Sequence, residues 1–219
     1  MNAPPVARKN RLRQWVLWGL RLTISSRRLL VRGPANSRIV YLTFDDGPDP
    51  ETTPRILDVL RRHSVQSTFF VVGEKAAAHP DLVRRLADEG HAVGGHTFFH
   101  LDPNQVNGRQ LIEEVRATED LLQKILGRGS RLFRPPFGKL TLGKLWRLWA
   151  EQRTIVLWNK DPKDFAASST EQLAAWFRND PLAGGDIVLL HDTSAVTAEA
   201  LEEVISHTRR SGLAFAPLA

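Results

Sequence analysis

The amino-acid sequence predicts an α/β fold, a distorted and incomplete (β/α) barrel of about seven parallel strands. From residue 39 onwards, short apolar runs alternate with segments of helical periodicity, which predicts a parallel sheet covered by helices. Polar clusters also follow five of the predicted strands, at residues 43–48, 96–100, 134–138, 161–165 and 189–192. An open doubly wound sheet serves its ligand site with about two or three loops, whereas the mouth of a barrel collects the ends of many strands. The five clusters therefore favour the barrel.

Seven apolar runs are predicted as strands, one fewer than a complete eightfold barrel contains. They are residues 39–44, 67–72, 92–93, 131–133, 154–158, 186–190 and 213–216. The first run leads directly into Asp45 and Asp46. The run at residues 187–190 is apolar enough for a strand that is buried on both faces.

Six segments between these runs carry helical signals, namely residues 52–60, 80–86, 109–126, 142–150, 171–178 and 198–208. Thr52 or Thr53 can cap the first helix, and Pro80 stands at the first turn of the second. In the longest segment, Leu111 and Val115 begin a series of apolar residues at helical spacing. Each predicted helix thus lies between two predicted strands, as a parallel sheet requires.

Composition limits the chain to one domain and excludes thiol chemistry. The chain has 219 residues, 42% of them hydrophobic, which is enough for one well-cored domain but not for two independent ones. Cysteine is absent, so a disulfide framework and a thiolate metal site are both excluded. The absence of cysteine is compatible with a reducing compartment.

Positive charge is concentrated near the N-terminus. The net charge is +6, but residues 1–38 hold nine of the 30 Lys and Arg and none of the 24 Asp and Glu. The rest of the chain therefore carries a net charge of −3. We accordingly divide the chain into a basic N-terminal extension, residues 1–37, and a body, residues 38–219. A nucleic-acid-binding protein would need a basic face on the folded body, so no nucleic-acid partner is expected.

Two interpretations of residues 11–32 remain open. Leu12 and Trp15 would share one face of a helix with arginines roughly opposite, as in an amphipathic helix on an anionic membrane surface. Alternatively, the segment packs on the outside of the body or stays disordered. No run approaches the ~20 apolar residues of a transmembrane helix, and Arg21 interrupts the apolar run at residues 15–20, so no signal peptide is expected. We expect a cytoplasmic monomer that could associate with a membrane.

Two histidines and two aspartates carry the signature of a metal site. His96 and His100 are four residues apart, so a helical turn would place both imidazoles on one side, although this spacing alone is more often a coincidence. Asp45 and Asp46 end the first strand, where adjacent side chains point different ways. One aspartate could therefore bind a metal with the histidines while the other faces a bound water as general base. Such a set suits metal-assisted hydrolysis of an amide or ester.

A second cluster offers a fixed charge and a backbone donor. Arg134 is followed by Pro135 and Pro136, which lack backbone N–H groups, so Phe137 supplies the next donor. The rigid prolines would hold that N–H as a donor to an oxyanion. Arg134 could orient a catalytic aspartate through a charge-assisted hydrogen bond. On its own, this cluster is equally compatible with an ordinary loop.

A third histidine, His191, follows the apolar strand at residues 187–190. It is either a satisfied core histidine or a proton donor, and a nearby Asp164 would raise its pKa and keep it able to donate. Leu189, Trp158 and Phe165 could line a small apolar pocket, although each is equally acceptable in a core.

Together, the five clusters resemble those of the NodB-homology polysaccharide deacetylases, carbohydrate esterase family 4. The resemblance covers about residues 38–219 and is close at residues 43–48, 96–100, 134–138 and 189–192. It implies a distorted (β/α) barrel and a divalent metal, usually zinc and sometimes cobalt. It also implies an acetylated oligo- or polysaccharide as the substrate.

The resemblance further implies a role for each site residue. Asp46, His96 and His100 would bind the metal. Asp45 would be the base that activates water, and His191 the acid that protonates the leaving amine. Arg134 would tune the properties of Asp45 as a base, and Asp164 those of His191 as an acid. The N–H of Phe137 would contact the oxyanion, and Leu189 would lie beside the acetyl methyl group.

Two positions depart from the family pattern. Phe165 ends the cluster at residues 161–165, where the corresponding family motif usually ends in Trp, and Phe137 in the cluster at residues 134–138 stands where the family often carries Tyr. Both changes keep an aromatic ring, and the oxyanion role uses only the backbone of Phe137, so catalysis should survive. The indole stacking area and the phenol hydroxyl are lost from the sugar-facing surface.

Three hypotheses follow. The first is a metal-dependent hydrolase that removes N-acetyl groups from N-acetylglucosamine units of peptidoglycan, chitin oligomers or exopolysaccharide, or acyl groups from a lipid-linked sugar. The second is a catalytically silent carbohydrate-binding protein on the same fold, which would have no need of both Asp45 and His191. The third is non-haem iron oxygenation by the two histidines and one carboxylate, which would leave Asp45 and His191 without a purpose.

Overall fold

The computed structural model describes residues 28–34 and 36–219 of the chain. Within these residues it has eight strands: β1 (Leu29–Leu30), β2 (Ile39–Asp45), β3 (Thr68–Val71), β4 (Ala92–Gly95), β5 (Leu132–Phe133), β6 (Thr154–Val156), β7 (Ile187–His191) and β8 (Ala214–Phe215). It also has seven α-helices: α1 (Thr52–Arg62), α2 (Gly73–Ala78), α3 (Pro80–Asp88), α4 (Gly108–Leu126), α5 (Leu142–Ala150), α6 (Thr170–Asn179) and α7 (Ala195–Arg210). Two short 3₁₀ helices are Pro136–Gly138 and Asp164–Ala166.

The strands form one curled parallel sheet in the order β1-β6-β5-β4-β3-β2-β7, with β8 pairing to the start of β2. Its two edges approach each other. Just beyond β6, Lys160 pairs with Val188 of β7, and Gly33 beyond β1 donates to the carbonyl of Gly185 before β7, at 2.7 Å. The predicted fold class, an incomplete (β/α) barrel of parallel strands, is therefore confirmed.

Parallel pairing brings the carboxyl ends of the strands together at one end of the barrel. Asp45, the last residue of β2, lies opposite Phe70 of β3 on one side and His191 of β7 on the other. In the same way, Gly95 at the end of β4 lies opposite Phe133 at the end of β5. The sheet register thus places the polar clusters that follow these strands around a common mouth.

Buried aromatic and aliphatic side chains join the sheet to the helices. The rings of Phe44 and Phe69 stack with centroids 4.8 Å apart, and α1 covers them from outside with Ile56, Leu57 and Leu60, all fully buried as the sequence predicts. Full burial of each such side chain contributes roughly 1.5–3 kcal/mol. This packing makes the barrel wall a rigid support for the residues at its mouth.

Residues 28–34 belong to the barrel, although the sequence assigned them to the extension at residues 1–37. Leu29 and Leu30 pair with Ile155 and Val156, so this end of the predicted amphipathic segment, residues 11–32, is a strand and not a helix. Residues 1–27 and 35 of the extension lie outside the described residues. Among the described helices, none has the length and apolar character needed to span a bilayer.

The short helix α2 was not predicted from the sequence. It has six residues, and Val72 precedes it without a side-chain cap, so neither apolar periodicity nor a capping residue marks it. The N–H groups at its N-terminus bond outside the helix: Gly73 donates to the carbonyl of Thr97 and Glu74 to the carbonyl of Phe98. This helix therefore forms because its end is bonded to the loop that follows β4.

A buried histidine gives the fold a pH dependence. His91 is buried in the barrel, where its Nδ1 accepts a hydrogen bond from the N–H of Ser67 at 3.1 Å. Burial lowers the pKa of His91 from 6.5 to about 4. Below pH 6.5 the unfolded chain therefore takes up a proton that the folded chain refuses, so stability falls as the pH drops from 6.5 towards 4.

We expect His91→Gln to remove the part of the pH dependence of stability that His91 causes. The wild-type chain should lose about 2 kcal/mol more unfolding free energy than the variant between pH 7 and pH 5. Urea unfolding at the two pH values measures this difference, and the other titrating groups cancel in the comparison. An equal loss in both proteins would show that His91 can be protonated in the folded state.

Candidate active site

Asp46, His96 and His100 form a cluster at the mouth of the barrel whose ligand atoms all lie within 4.8 Å of one another. The Oδ1 atom of Asp46 is 3.1 Å from Nε2 of His100 and 3.4 Å from Nε2 of His96. The Nδ1 atom of His96 bonds to the carbonyl oxygen of Arg134 at 2.7 Å, which fixes it as the N–H and leaves the Nε2 lone pair facing the cluster.

The electrostatics of this cluster suit a cation. Burial would raise the pKa of the Asp46 carboxyl, but the neighbouring His100 and His96 outweigh it and hold the pKa well below its usual range. Its buried Oδ1 atom has no hydrogen-bond partner among the described residues. An ionised carboxylate with an unsatisfied oxygen beside two imidazoles is the donor set of a divalent metal site with open positions.

The two histidines meet through a loop, and the predicted helical turn between them is wrong. Residues 96–100 are not helical, and Thr97 and His100 adopt left-handed backbone angles, with φ of 65° and 53°. Such angles are unfavourable for residues other than glycine and persist where surrounding contacts impose them. The site concentrates this strain, because Asp46, Phe137 and Lys163 also have positive φ.

Glu114 of α4 is one of the contacts that impose this loop conformation. Its Oε2 atom accepts hydrogen bonds from the backbone N–H groups of Phe98 and Phe99, at 3.0 and 2.8 Å. The other side of the loop is held by the N-terminus of α2, because Gly73 and Glu74 donate to loop carbonyls. Glu114 was missed from the sequence, where nothing distinguishes it from the other glutamates of its helix.

We expect Glu114→Ala to weaken metal binding by about 10–100-fold, the usual effect of losing an outer support of a metal ligand. Glu114→Gln should keep most of the affinity, because its amide oxygen can accept the same two N–H groups. Zinc affinity, measured by competition with a chromogenic chelator, tests this. Glu113→Ala is the matched control, since Glu113 is exposed and its ion pair, among the described residues, is with Arg109. Wild-type affinity in Glu114→Ala would show that the loop keeps its shape unaided.

Asp45 is buried beside the cluster and is held by Arg134. The guanidinium Nη1 of Arg134 donates to Oδ1 of Asp45 and to Oγ1 of Thr43, both at 2.7 Å. The other oxygen of Asp45, Oδ2, lies 3.8 Å from Nε2 of His96 and so faces the cluster. Arg134 itself is fully buried, with its guanidinium 4.3 Å from the centre of the Phe70 ring. One aspartate thus joins the histidines while its neighbour keeps a separate orientation, as the sequence predicts.

His191 lies close to Asp46 and is hydrogen-bonded to Asp164. Nδ1 of His191 donates to Oδ1 of Asp164 at 2.8 Å, and Oδ2 of Asp164 accepts from the N–H of His191 and from the hydroxyl of Thr197. Burial would lower the pKa of His191, but Asp164 first, then Asp45 and Asp46, outweigh it and raise the pKa to about 9. The imidazole is therefore a cation that can donate a proton from Nε2, which is 3.9 Å from Asp46.

Phe137 lies at the rim of the site in the 3₁₀ helix Pro136–Gly138. Its backbone has a φ of 57°, and its half-exposed ring packs edge-on against His100 with centroids 5.0 Å apart. The nearest backbone N–H groups on either side of Phe137 form hydrogen bonds within the fold. The N–H of Arg134 donates to the carbonyl of Gly95, and that of Gly138 donates to the carbonyl of Pro135. The prolines thus belong to a tight turn that presents Phe137 to the site.

These residues surround one cavity of about 410 Å³. Its lining includes nine of the residues predicted from the sequence: Asp45, Asp46, His96, His100, Phe137, Trp158, Phe165, Leu189 and His191. The other two, Arg134 and Asp164, lie behind Asp45 and His191 and bond to them. The structure therefore brings the predicted site residues together, and their individual roles stay predictions.

The apolar residues occupy different depths of this cavity. Leu189 is almost fully buried, whereas Phe165 is 63% exposed and stands edge-on to His191, with centroids 5.4 Å apart. Asp161 and Lys163 also line the cavity, and Asp161 accepts a hydrogen bond from the indole N–H of Trp158 at 3.3 Å. The cavity therefore has a small apolar floor and an aromatic, polar rim, a composition that suits a small acyl group attached to a polar ligand.

The chain is similar to known polysaccharide deacetylases. Residues 32–149 match the family model for polysaccharide deacetylase. The chain is 35% identical to a peptidoglycan-N-acetylglucosamine deacetylase of Bacillus cereus, over 85% of this chain and 69% of the relative. It is 33% identical to a chitooligosaccharide deacetylase of Azorhizobium caulinodans, over 84% and 94% respectively. The crystal structure of the Bc1960 peptidoglycan N-acetylglucosamine deacetylase superposes with a TM-score of 0.84 at 32% identity, covering 88% of this chain and 92% of that one.

Proposed function

The chain belongs to the polysaccharide deacetylase family of hydrolases, and we propose that it hydrolyses the N-acetyl groups of N-acetylglucosamine-type units in an oligo- or polysaccharide with the aid of a divalent metal. The observation that supports the proposal is that a buried carboxylate, Asp45, and an imidazole, His191, both lie beside the cluster of Asp46, His96 and His100. Asp45 lies 3.8 Å from His96, and the cationic His191 lies 3.9 Å from Asp46.

The donor set of Asp46, His96 and His100 fits zinc, and cobalt also accepts these ligands. When bound there, the metal would supply an electrophilic centre that lowers the pKa of water and polarises the acetyl carbonyl. The Nδ1–H of His96 bonded to Arg134 holds that imidazole in the tautomer a metal needs. Asp46 is already ionised at neutral pH and can bind a metal without losing a proton, because its two histidine neighbours hold its pKa well below the usual range.

Asp45 would act as the general base. Arg134 occupies one of its oxygens and so directs the other, Oδ2, towards the cavity. Oδ2 would take a proton from the attacking water as the water oxygen bonds to the acetyl carbon. The oxygen that becomes negative in the tetrahedral transition state would receive the N–H of Phe137.

His191 would act as the general acid. Its Nε2–H faces the cavity while Nδ1 is fixed by Asp164, so the proton is held at the atom that can reach the leaving group. Transfer of that proton to the amide nitrogen allows the carbon–nitrogen bond to break, which releases acetate and the free amine of the sugar. Leu189 at the cavity floor would contact the acetyl methyl group.

Two competing hypotheses, a silent carbohydrate-binding protein and an iron oxygenase, leave the Asp45–Arg134 and His191–Asp164 pairs unexplained. A silent carbohydrate-binding protein would not need a buried Asp45–Arg134 pair and a His191–Asp164 pair around one metal cluster. An iron oxygenase would use the cluster but neither pair. Peptidoglycan, chitin oligomers, exopolysaccharide and N-acetylated lipid-linked sugars share the acetylated unit that this site would hydrolyse.

Acetate release from N-acetylglucosamine oligomers by metal-stripped protein, with and without added zinc or cobalt, tests the proposal. We expect release only when metal is restored, with one metal ion per chain at saturation. If the protein binds one metal tightly but releases no acetate with any metal, the deacetylase proposal fails in favour of another acyl substrate or a silent binding role.

A further inference from the structure

Residues 72–75, which lead from strand β3 into helix α2, hold the loop that carries Asp46. The N–H of Val72 donates to the carbonyl of Gly47 at 2.9 Å. Three residues further on, Nζ of Lys75 donates to the carbonyl of Asp46 at 2.8 Å. The backbone on the C-terminal side of the Asp46 side chain is therefore bonded to this segment at two consecutive carbonyls.

The same segment also holds the loop between His96 and His100, through two consecutive N–H groups. The donors and their acceptors are Gly73 with the carbonyl of Thr97, at 3.0 Å, and Glu74 with the carbonyl of Phe98, at 2.9 Å. A Cβ atom at position 73 would lie 2.9 Å from Cα of Phe98, closer than such atoms approach each other. Glycine at this position therefore allows the two backbones to meet.

The backbone of Asp46 needs support from its surroundings. Its φ of 74° is left-handed, a conformation that residues other than glycine keep only where contacts impose it. The hydrogen bond from Lys75 reaches the carbonyl of this strained residue itself. Loss of that bond would leave the Asp46 carboxylate less firmly placed relative to Nε2 of His96 and His100, which are 3.4 and 3.1 Å away.

We propose that residues 72–75 are a clamp that sets the separation of Asp46 from His96 and His100, with Lys75 as a positioning residue for Asp46. Contacts behind the ligands of a metal orient those ligands, and their loss weakens metal binding even though they never touch the metal. The proposal rests on the metal-binding part of the proposed function and does not involve the acetylated substrate.

Lys75 has two opposite effects on a cation bound at Asp46. Its positive charge repels the cation, so this effect alone would make a neutral variant bind metal more tightly than the wild type. Its hydrogen bond holds Asp46 in place, which favours metal binding. Lys75 is half-buried and also interacts with the charge of Asp49, which reduces the repulsion. The direction in which affinity changes after removal of Lys75 therefore decides between the two effects.

Lys75→Met removes the donor and the charge and keeps a long side chain. We expect the zinc affinity of the full-length protein, measured by competition with a chromogenic chelator, to fall about tenfold. Lys75→Arg, which can still donate to the carbonyl of Asp46, should recover most of the affinity. Lys124→Met removes an exposed lysine from α4 and, as the matched control, should leave the affinity unchanged.

Gly73→Ala tests the other side of the clamp. Alanine favours a helix more than glycine does, so any loss of zinc affinity in this variant would come from its contact with Phe98. We expect a loss of about tenfold here as well. The visible absorption of bound cobalt, which reports the geometry of its ligands, should change in Gly73→Ala and Lys75→Met at full metal occupancy. A purely structural role would lower the unfolding midpoint and leave this spectrum unaltered.

The outcomes separate the clamp from the proposed function. Tighter zinc binding by Lys75→Met would overturn the clamp, because the charge of Lys75 would then be its main effect on the metal. Unchanged affinity and an unchanged cobalt spectrum in that variant would overturn it too, while leaving the metal-dependent function intact. A wild-type protein that binds neither zinc nor cobalt would contradict the proposed function, and the clamp with it.

Discussion

Replacing Asp45 by Asn is expected to lower kcat for acetate release by about 10²–10⁴-fold, the contribution of a positioned general base. Asparagine has the same shape, and its amide oxygen can still accept the hydrogen bond that Arg134 donates to Oδ1 of Asp45. It cannot take a proton from water. The loss should therefore appear in kcat, with the cluster of Asp46, His96 and His100 unchanged.

Three measurements on this variant separate the roles open to Asp45. Metal content and oligosaccharide binding should equal those of the wild type while turnover falls. Asp81→Asn, which removes an exposed carboxylate from α3, controls for the general effect of one lost negative charge. Wild-type turnover in Asp45→Asn would place the base elsewhere. Loss of the metal would instead make Asp45 a ligand, a role that its 3.8 Å distance from His96 does not forbid.

The sequence was sufficient to predict where the site lies because the fold and the site share one geometric cause. Parallel strands end at the same edge of a sheet, so polar residues that follow several apolar runs must meet. Asp45 and His191 are far apart in the chain yet lie opposite each other in the register of β2 and β7. The different directions of the Asp45 and Asp46 side chains were also predicted. Strand alternation is only part of the cause, because Asp46 has a left-handed backbone with a φ of 74°.

The loop of His96 and His100 shows where prediction from sequence stops. Spacing of four residues suggested a helical turn, because that is the local conformation that brings such residues together. The conformation found has positive φ at Thr97 and His100, which no local preference of these residues favours. It is imposed by Glu114 and by the start of α2, both distant in sequence. Contacts of this kind leave no periodicity or motif that could reveal them.

The strand β1 was missed for a different reason. Leu29 and Leu30 begin an apolar run of only three residues between Arg28 and Arg32, which is too short for any pattern. Their pairing with β6 depends on an open sheet edge that only the folded barrel provides. Strand assignment here needed the tertiary structure, which is why the boundary drawn at residue 38 separated residues 28–34 from the barrel.

Replacing Arg134 by Met is expected to destabilise the protein by about 3–5 kcal/mol, the cost of leaving a buried charge without its partner. Arg134 is fully buried and Asp45 is 3% exposed, so water cannot replace the lost guanidinium. Arg134→Lys should recover only part of this loss, because an ammonium group cannot reproduce the bonds to Asp45, Thr43 and the carbonyl of Val156. Urea unfolding of the metal-loaded protein measures both variants.

A double-mutant cycle tells whether the buried charge is the cause. If it is, Asp45→Asn should relieve much of the loss in Arg134→Met, so that the double variant is more stable than the sum of the single effects allows. Arg116→Met, which breaks the exposed pair with Glu151, should cost far less and serves as the control. Strict additivity would mean that Arg134 stabilises the barrel through its packing on Phe70 and its carbonyl contacts. A favourable coupling free energy between Asp45 and Arg134 would mean that Arg134, which orients Asp45, also stabilises the buried negative charge of Asp45.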